Sequence, residues 1–254
     1  MHIVRSVAAI FICGIIIFCF KDFVFRQIIF GPLQSDFVTY RALCAMSSQF
    51  NLGDDLCIQP ALHENQLIMT GLGEPFSLHL EVSFVLGFIV AFPYIFWQFW
   101  QFISPGLYER ERRAARGVVF VCTFLFLAGV AFGYYVVGPL AINWLITYEI
   151  PIATHTFTVS SYIENLIMFT LPTGLIFELP IVIFFLAKLG LITHHFMKQY
   201  RRHAIVVIII LAAIITPSVD IVSQTLVALP IYILYELSIV LAKRETLRLQ
   251  RENA

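Results

Sequence analysis

SPGLYERERRAARG, residues Ser104 to Gly117, separates two long apolar segments of the chain. It carries four arginines and two glutamates, whereas the segments on either side carry almost no charge. A dense run of charge between two apolar segments is typical of a polar loop that joins two membrane spans. This stretch therefore predicts a membrane protein, and its arginines indicate on which side of the membrane the loop lies.

The composition agrees with this class of protein. Of the 254 residues, 59% are hydrophobic and only 13% are charged. A soluble domain of this length does not need so large an apolar fraction. The formal net charge is zero, so there is no general electrostatic argument for binding nucleic acid.

Six apolar segments follow one another and form a single polytopic membrane domain. About 20 apolar residues cross the hydrocarbon core of a bilayer, which is about 30 Å thick. The fifth segment has about 12 residues and covers only roughly 18 Å. The second segment is interrupted by Glu81 and Pro93, and the fourth contains Glu178. The segments are 4–20, 76–103, 117–146, 162–186, 204–215 and 221–241.

The basic residues predict the orientation of these segments. Thirteen of the sixteen lie on one side of the predicted membrane, and only Lys21, Arg26 and Arg41 lie on the other. The positive-inside rule makes the first side cytoplasmic, so we expect six transmembrane helices with both termini in the cytoplasm. No small-residue cleavage site follows Phe20, which predicts that the first segment is a retained helix.

The long loop 31–73 lies on the opposite side and is called the outside loop below. Its apolar residues recur at helical spacing between 37 and 50, which predicts a helix along the membrane surface. This helix either caps the bundle or contacts a partner, and the sequence leaves both open. Cys44 and Cys57 lie in the same loop and can form a disulfide if that compartment is oxidising.

Polar residues inside apolar segments are the next candidates for function. Glu178 either is a neutral carboxyl group bonded to the carbonyl freed by Pro180, or forms a polar notch that faces water or a partner helix. Thr216 and Gln224 lie at the tip of the short hairpin, where polar side chains can bond to another helix. Asp220 between them can cap the sixth helix.

The two glutamates of the charged loop differ in their neighbours. If the segment after Gly106 is helical, Glu109 faces arginines at i+3 and i+4, whereas Glu111 faces alanines there. An unpaired carboxylate at a cytoplasmic surface suits a guanidinium group from another molecule. The alternatives are that Glu111 complements a helix N-terminus or pairs with Arg201 or Arg202.

FISPGLYERERR resembles the first cytoplasmic loop of the TatC family, the polytopic core of the twin-arginine protein translocase. Most of the chain from Gly31 onward is similar to this family in the same order of motifs. The further matching motifs are GEPF, AFPYIFWQFWQF, FGYYVVGPL, FELP, YRRHAIV, TPSVDIVSQ and ALPIYILYELSI.

The resemblance implies a concave, glove-like bundle with short fifth and sixth helices in the bacterial inner membrane. It implies that the protein binds twin-arginine signal peptides and exports folded proteins across an energised membrane. Single-span TatA/TatB-type subunits and further copies of the same chain are the implied partners. The family is not enzymatic, and neither a cofactor nor a metal site is expected. The alternative is a proton-coupled transporter that uses Glu178 and Glu236.

The resemblance also implies roles for individual residues. Glu111 contacts the arginines of the signal peptide, and Glu178 lines the concave face. The other members of the implied signal-peptide site are Pro93, Phe102, Tyr108 and Arg113. The implied partner-helix site comprises Thr216, Asp220 and Gln224, and the implied outside cap includes Pro32 and Phe76.

Two departures from the family pattern stand out. The family usually begins with a cytoplasmic His-Leu-x-Glu-Leu-Arg motif, and this chain starts at Met1-His2-Ile3, just after the position of that motif. Either such a segment precedes this start, or one half of the arginine contact is missing. In addition, the turn between Pro217 and Asp220 is one residue longer than in the tightest form of the motif.

Overall fold

The structure is a computed structural model that describes residues 2–50, 60, 67–103, 115–147, 156–188, 194–216 and 221–252. The described residues form helices and a single isolated bridge between Ile68 and Thr158, in agreement with an all-α class. The α-helices are α1 (His2–Cys19), α2 (Lys21–Phe23), α3 (Val38–Phe50), α4 (Glu74–Ile103), α5 (Ala115–Phe132), α6 (Gly138–Thr147), α7 (Val159–Ile176), α8 (Leu179–Lys188), α9 (His194–Gln199), α10 (Arg201–Ile215) and α11 (Ile221–Glu252). Val24–Ile29 and Gly133–Val137 are π-helices, and Gly31–Leu33 is a 3₁₀ helix.

Four stretches of the described residues are long and apolar enough to cross a membrane. They are His2–Cys19, Glu74–Phe102, Val119–Thr147 and Val159–Phe184, and they correspond to the first four predicted segments. Helix α10 has 15 residues, or about 22 Å, and is shorter than a bilayer core. The count of six spans and the cytoplasmic location of the termini stay predictions.

The expectation of a short sixth helix is wrong for the helix as a whole. Helix α11 has 32 residues and extends well beyond the predicted end at 241. The charged residues after Ala242 are mostly strong helix formers, so the helix continues where its apolar part stops. That apolar part, Val227–Val240, is short.

Helix α1 lies along α4 through a close contact of backbones. A Cβ atom on Gly87 would lie 2.8 Å from the Cα atom of Gly14, so only glycine allows this approach. Further out, the ring of Phe18 stacks on His79 with 3.9 Å between the centroids. No residue of α1 is fully buried, so the opposite face of this apolar helix is free to contact lipid. Pro93 lies inside α4, and the helix continues through it.

Two tyrosine hydroxyls fix the first π-helix to the bundle. Tyr134 donates a hydrogen bond to the carbonyl of Ile28 at 2.6 Å, and Tyr162 donates to the carbonyl of Ile29 at 2.8 Å. These carbonyls lie at the end of the π-helix, where the chain turns into the buried 3₁₀ helix that contains Pro32. The two hydroxyls therefore bind backbone carbonyls at the point where the π-helix ends and its regular hydrogen bonds stop.

The predicted helix in the outside loop is present as α3, and it packs on the bundle. Phe37 stacks on Tyr135, and the Thr39 hydroxyl donates to the Tyr135 carbonyl. Tyr40 is buried, and this burial raises the pKa of its phenol to about 12. These contacts favour the capping alternative for α3. Cys44 is disulfide-bonded; Cys57 lies outside the described residues, so their pairing stays a prediction.

Candidate functional site

The predicted recognition loop lies between the end of α4 and the start of α5. Tyr108, Glu109, Glu111 and Arg113 lie outside the described residues. Phe102, in the last turn of α4, has 68% of its surface exposed and is therefore available to a ligand beside this loop. Pro93 is half-buried, more than two turns earlier on the same helix. The structure thus presents an exposed aromatic side chain directly before the loop that carries the predicted receptor carboxylate.

A hydrogen-bond network holds the start of α1 next to this position. The buried Gln98 accepts from His2, with 2.7 Å between Oε1 and Nδ1, and donates from Nε2 to the hydroxyl of Tyr94 at 2.9 Å. Gln98 precedes Phe102 by one helical turn. No sequence pattern predicts this network, because His2 and Gln98 are 96 positions apart in the chain.

One of the alternatives for Glu111 is weakened by an ion pair between α10 and α11. Arg201 Nη2 lies 2.5 Å from Glu236 Oε2, and the Tyr232 hydroxyl donates to Glu236 Oε1 at 3.1 Å. Arg201 is therefore engaged by a carboxylate other than Glu111. Arg202 is exposed and forms no ion pair with any described residue. The spacing of four residues between Tyr232 and Glu236 could have predicted their hydrogen bond from sequence, but not the ion pair with Arg201.

Glu178 lies at the break between α7 and α8. It has 8% of its surface exposed, and neither carboxyl oxygen forms a hydrogen bond of good geometry with a described residue. The thiol of Cys122 and the backbone of Phe126, both on α5, are the polar groups that face it. The alternative in which Glu178 bonds to the carbonyl freed by Pro180 is not what the structure shows.

The break itself has two causes. Pro180 has no backbone N–H, so the helical hydrogen bond to the carbonyl of Ile176 is missing. In addition, Phe177 packs so closely on α5 that a Cβ atom on Gly129 would lie 2.7 Å from the Phe177 Cβ atom. The backbone tightens locally, with the N–H of Glu178 bonded to the carbonyl of Leu175 at 3.1 Å. Packing and proline together position the Glu178 side chain.

The two predicted partner-binding residues of the α10–α11 hairpin lie in different environments. Thr216 has 3% of its surface exposed, and its hydroxyl donates to the Ala212 carbonyl at 2.9 Å, so it ends α10. Gln224 is only half-buried, and its Nε2 donates to the Ile209 carbonyl at 3.2 Å. Asp220 lies outside the described residues. Of the predicted pair, only Gln224 offers polar atoms to another molecule.

Gln224 borders a groove between the two helices, called the hairpin groove below. The cavity in it has a volume of about 390 Å³. Its walls include Ile205, Ile208 and Ile209 of α10 and Gln224, Ala228 and Tyr232 of α11. The groove is therefore mostly apolar, with the Gln224 carboxamide at the end predicted to face outside (the outer end) and the Tyr232 phenol at the end predicted to face the cytoplasm (the inner end).

The two residues of the implied outside cap occupy different environments. Pro32 is fully buried in the 3₁₀ helix, within the main core. Phe76 is 62% exposed, and the edge of its ring meets Phe18 with 6.5 Å between centroids. Pro32 therefore shapes the chain path at the start of the outside loop, whereas the side chain of Phe76 is accessible to another molecule.

Comparison with known proteins connects these sites to one family. The family model described as "Sec-independent protein translocase protein (TatC)" matches residues 1–230. A protein of this name from Blattabacterium is 38% identical over 239 residues, which are 94% of this chain and 89% of the relative. Another, from Helicobacter pylori strain J99, is 43% identical over 181 residues, or 71% of this chain and 72% of the relative.

Solved structures give the same result for the fold. The crystal structure described as "Twin Arginine Translocase Receptor- TatC in DDM" matches with a TM-score of 0.74 at 31% identity. The match covers 95% of this chain and 96% of that chain.

Proposed function

Because the chain belongs to the TatC family of Sec-independent protein translocases, we propose that it is the signal-peptide receptor in the core of a twin-arginine translocase. In this role it binds the paired arginines of a signal peptide on the cytoplasmic face. Together with single-span TatA/TatB-type subunits it exports folded proteins across the inner membrane of a bacterium. The two crossings of the short hairpin complete six spans and return the C-terminus to the cytoplasm.

The observation that carries this proposal is the extent of the match, since the family model and the crystal structure each cover nearly the whole chain. Membership in a translocase family favours this role over a proton-coupled transporter. At the level of residues, Glu111 is the proposed contact for the signal arginines. The support for it comes from its lack of a cation at helical spacing, the exposed Phe102 beside the loop, and the engagement of Arg201 by Glu236.

Binding of a twin-arginine peptide to the purified chain tests this assignment. A charge-assisted hydrogen bond contributes about 1.5–3 kcal/mol, so Glu111→Ala should weaken binding roughly ten- to a hundredfold. Glu109→Ala is the matched control, because this carboxylate has arginines at i+3 and i+4 and should matter little. Affinities measured at low and moderate salt separate a specific contact from general attraction. Equal losses in both variants would show that the loop acts as a diffuse acidic patch, and no loss in either would place recognition elsewhere.

A further inference from the structure

The hairpin groove is open along its side, between α10 and α11. Ile205 is 40% exposed and Ile209 is 45% exposed along its rim. The Gln224 amide, at its outer end, already donates to a backbone carbonyl. An occupant of this groove must therefore be mainly apolar.

The groove extends along the two helices from Gln224 to Tyr232, which lie eight positions apart and thus about 12 Å apart along the helix axis. An extended acyl chain can lie along this length between the isoleucines of α10 and Ala228 of α11. A partner helix can lie against the mouth of the groove near Gln224, and the variants described below distinguish the two occupants.

Positive charge is concentrated at the inner end of the groove. Arg202 precedes Ile205 by three residues and Ile209 by seven, so it lies on the same face of α10 as the groove wall. Lys198 lies four residues before Arg202, and both side chains are exposed. The nearby Glu236 does not neutralise them, because its two oxygens are engaged by Arg201 and Tyr232.

We propose that the hairpin groove is a lipid site, which holds an acyl chain of an anionic phospholipid whose phosphate contacts Arg202 and Lys198. Basic residues between membrane helices on the cytoplasmic side attract anionic head groups, and a guanidinium binds phosphate with two parallel hydrogen bonds. Helix α10 is about 8 Å shorter than a bilayer core, so the lipid layer beside it is locally thin. A lipid at this position can place its chain in the groove while its head group stays at the level of Arg202.

Lipid binding to the purified chain tests the proposal, with phosphatidylglycerol and phosphatidylcholine of identical acyl chains as probes. Each lost cation should weaken phosphatidylglycerol binding about fivefold, so Lys198→Gln with Arg202→Gln should weaken it roughly 30-fold. Binding of phosphatidylcholine should not change in this double variant. Arg5→Gln is the control, since Arg5 is an exposed basic residue on α1, on the same side of the predicted membrane but on another helix. It should leave both affinities unchanged.

A second variant separates the groove from the charges. Ala228→Phe fills the groove from its wall and should reduce binding of both lipids to a similar degree, because it blocks the acyl chain. The proposal is wrong if the double charge variant behaves like Arg5→Gln. It is also wrong if Ala228→Phe still binds both lipids. If that variant binds both lipids but no longer co-purifies a single-span subunit, the groove holds a partner helix and not a lipid. The unfolding temperature of each variant shows whether that chain is folded. If Ala228→Phe is not folded, the charge variants alone decide whether the groove binds lipid.

Discussion

Glu178 is the residue whose surroundings are hardest to explain by stability alone. Its carboxyl group is buried in the apolar part of the chain and has no hydrogen bond of good geometry to a described residue. A buried polar group in this condition costs about 1–3 kcal/mol. Intramembrane carboxyl groups mostly have functional roles, so we infer that Glu178 serves function at the expense of stability.

Replacement of Glu178 should therefore change stability and export in opposite directions. Glu178→Leu should raise the free energy of unfolding by about 1–3 kcal/mol, because it removes the unsatisfied group, and should lower export of a folded twin-arginine substrate. Thermal unfolding in detergent and an export assay measure the two effects. Glu178→Gln is the control, since it keeps a polar group of the same shape and should bring no gain in stability. A clear loss of stability in Glu178→Leu would show that the carboxyl group has stabilising partners.

For single residues, the sequence predicted which ones are unusual better than it predicted which residues they contact. Glu178 and Pro180 stand out in an apolar run, so both the break and the exceptional carboxyl group could be predicted. Cys122 could not be matched with Glu178, because it lies on α5 and contact between the helices depends on how they pack. The burial of Thr216 was missed for the same reason.

At the scale of elements, close helix crossings depend on glycine. Gly133 lies in the second π-helix, and a Cβ atom there would be 2.6 Å from the carbonyl oxygen of Phe169. Gly133→Ala should therefore destabilise the protein by about 1–3 kcal/mol, since backbone rather than a flexible side chain must move. Gly117→Ala, at the start of α5, has no atom within 4 Å of the added Cβ and should be neutral or slightly stabilising. Thermal unfolding of the two variants makes the comparison, and equal stability would contradict the tight crossing.

The α10–α11 hairpin leads to a different prediction for its two polar residues. Gln224→Leu should weaken recovery of a single-span subunit by about three- to thirtyfold, because an interhelical hydrogen bond in a membrane is worth about 0.6–2 kcal/mol. Thr216→Val should have little effect, since the Thr216 hydroxyl is buried and bonded within its own helix. Quantitative co-purification of the subunit measures both variants. A larger loss for Thr216→Val than for Gln224→Leu would mean that the hairpin rearranges when the partner binds.

The sequence predicted the ends of a helix well where the helix and its apolar stretch end at nearly the same residue, and poorly where they do not. The four long apolar helices begin and end within a few residues of the predicted segments, although helical structure continues after α1 through α2 and the π-helix to Ile29. Helix α11 differs because its charged C-terminal part is still a strong helix former. The π-helices were missed because the sequence of Gly133–Val137 has no pattern that separates it from an ordinary helix.

Among the described residues of the molecule, three features bear most directly on function. They are the C-terminal end of α4 with Phe102, the carboxyl group of Glu178 at the α7–α8 break, and the hairpin groove with Gln224. Sequence reasoning found one residue of each feature, because each is a polar or exposed exception in its segment. It did not find the ion pair of Arg201 with Glu236 or the network of His2, Tyr94 and Gln98, which depend on contacts between distant segments.

Recognition of paired arginines by this chain can be tested with two peptides on the unmodified protein. One carries a twin-arginine signal sequence, and the other has lysine at both positions. A guanidinium can bind a carboxylate with two hydrogen bonds and an ammonium cannot, so we expect at least roughly tenfold tighter binding of the arginine peptide. Equal affinities for the two peptides would contradict it, because they would show that the protein responds to positive charge and not to arginine.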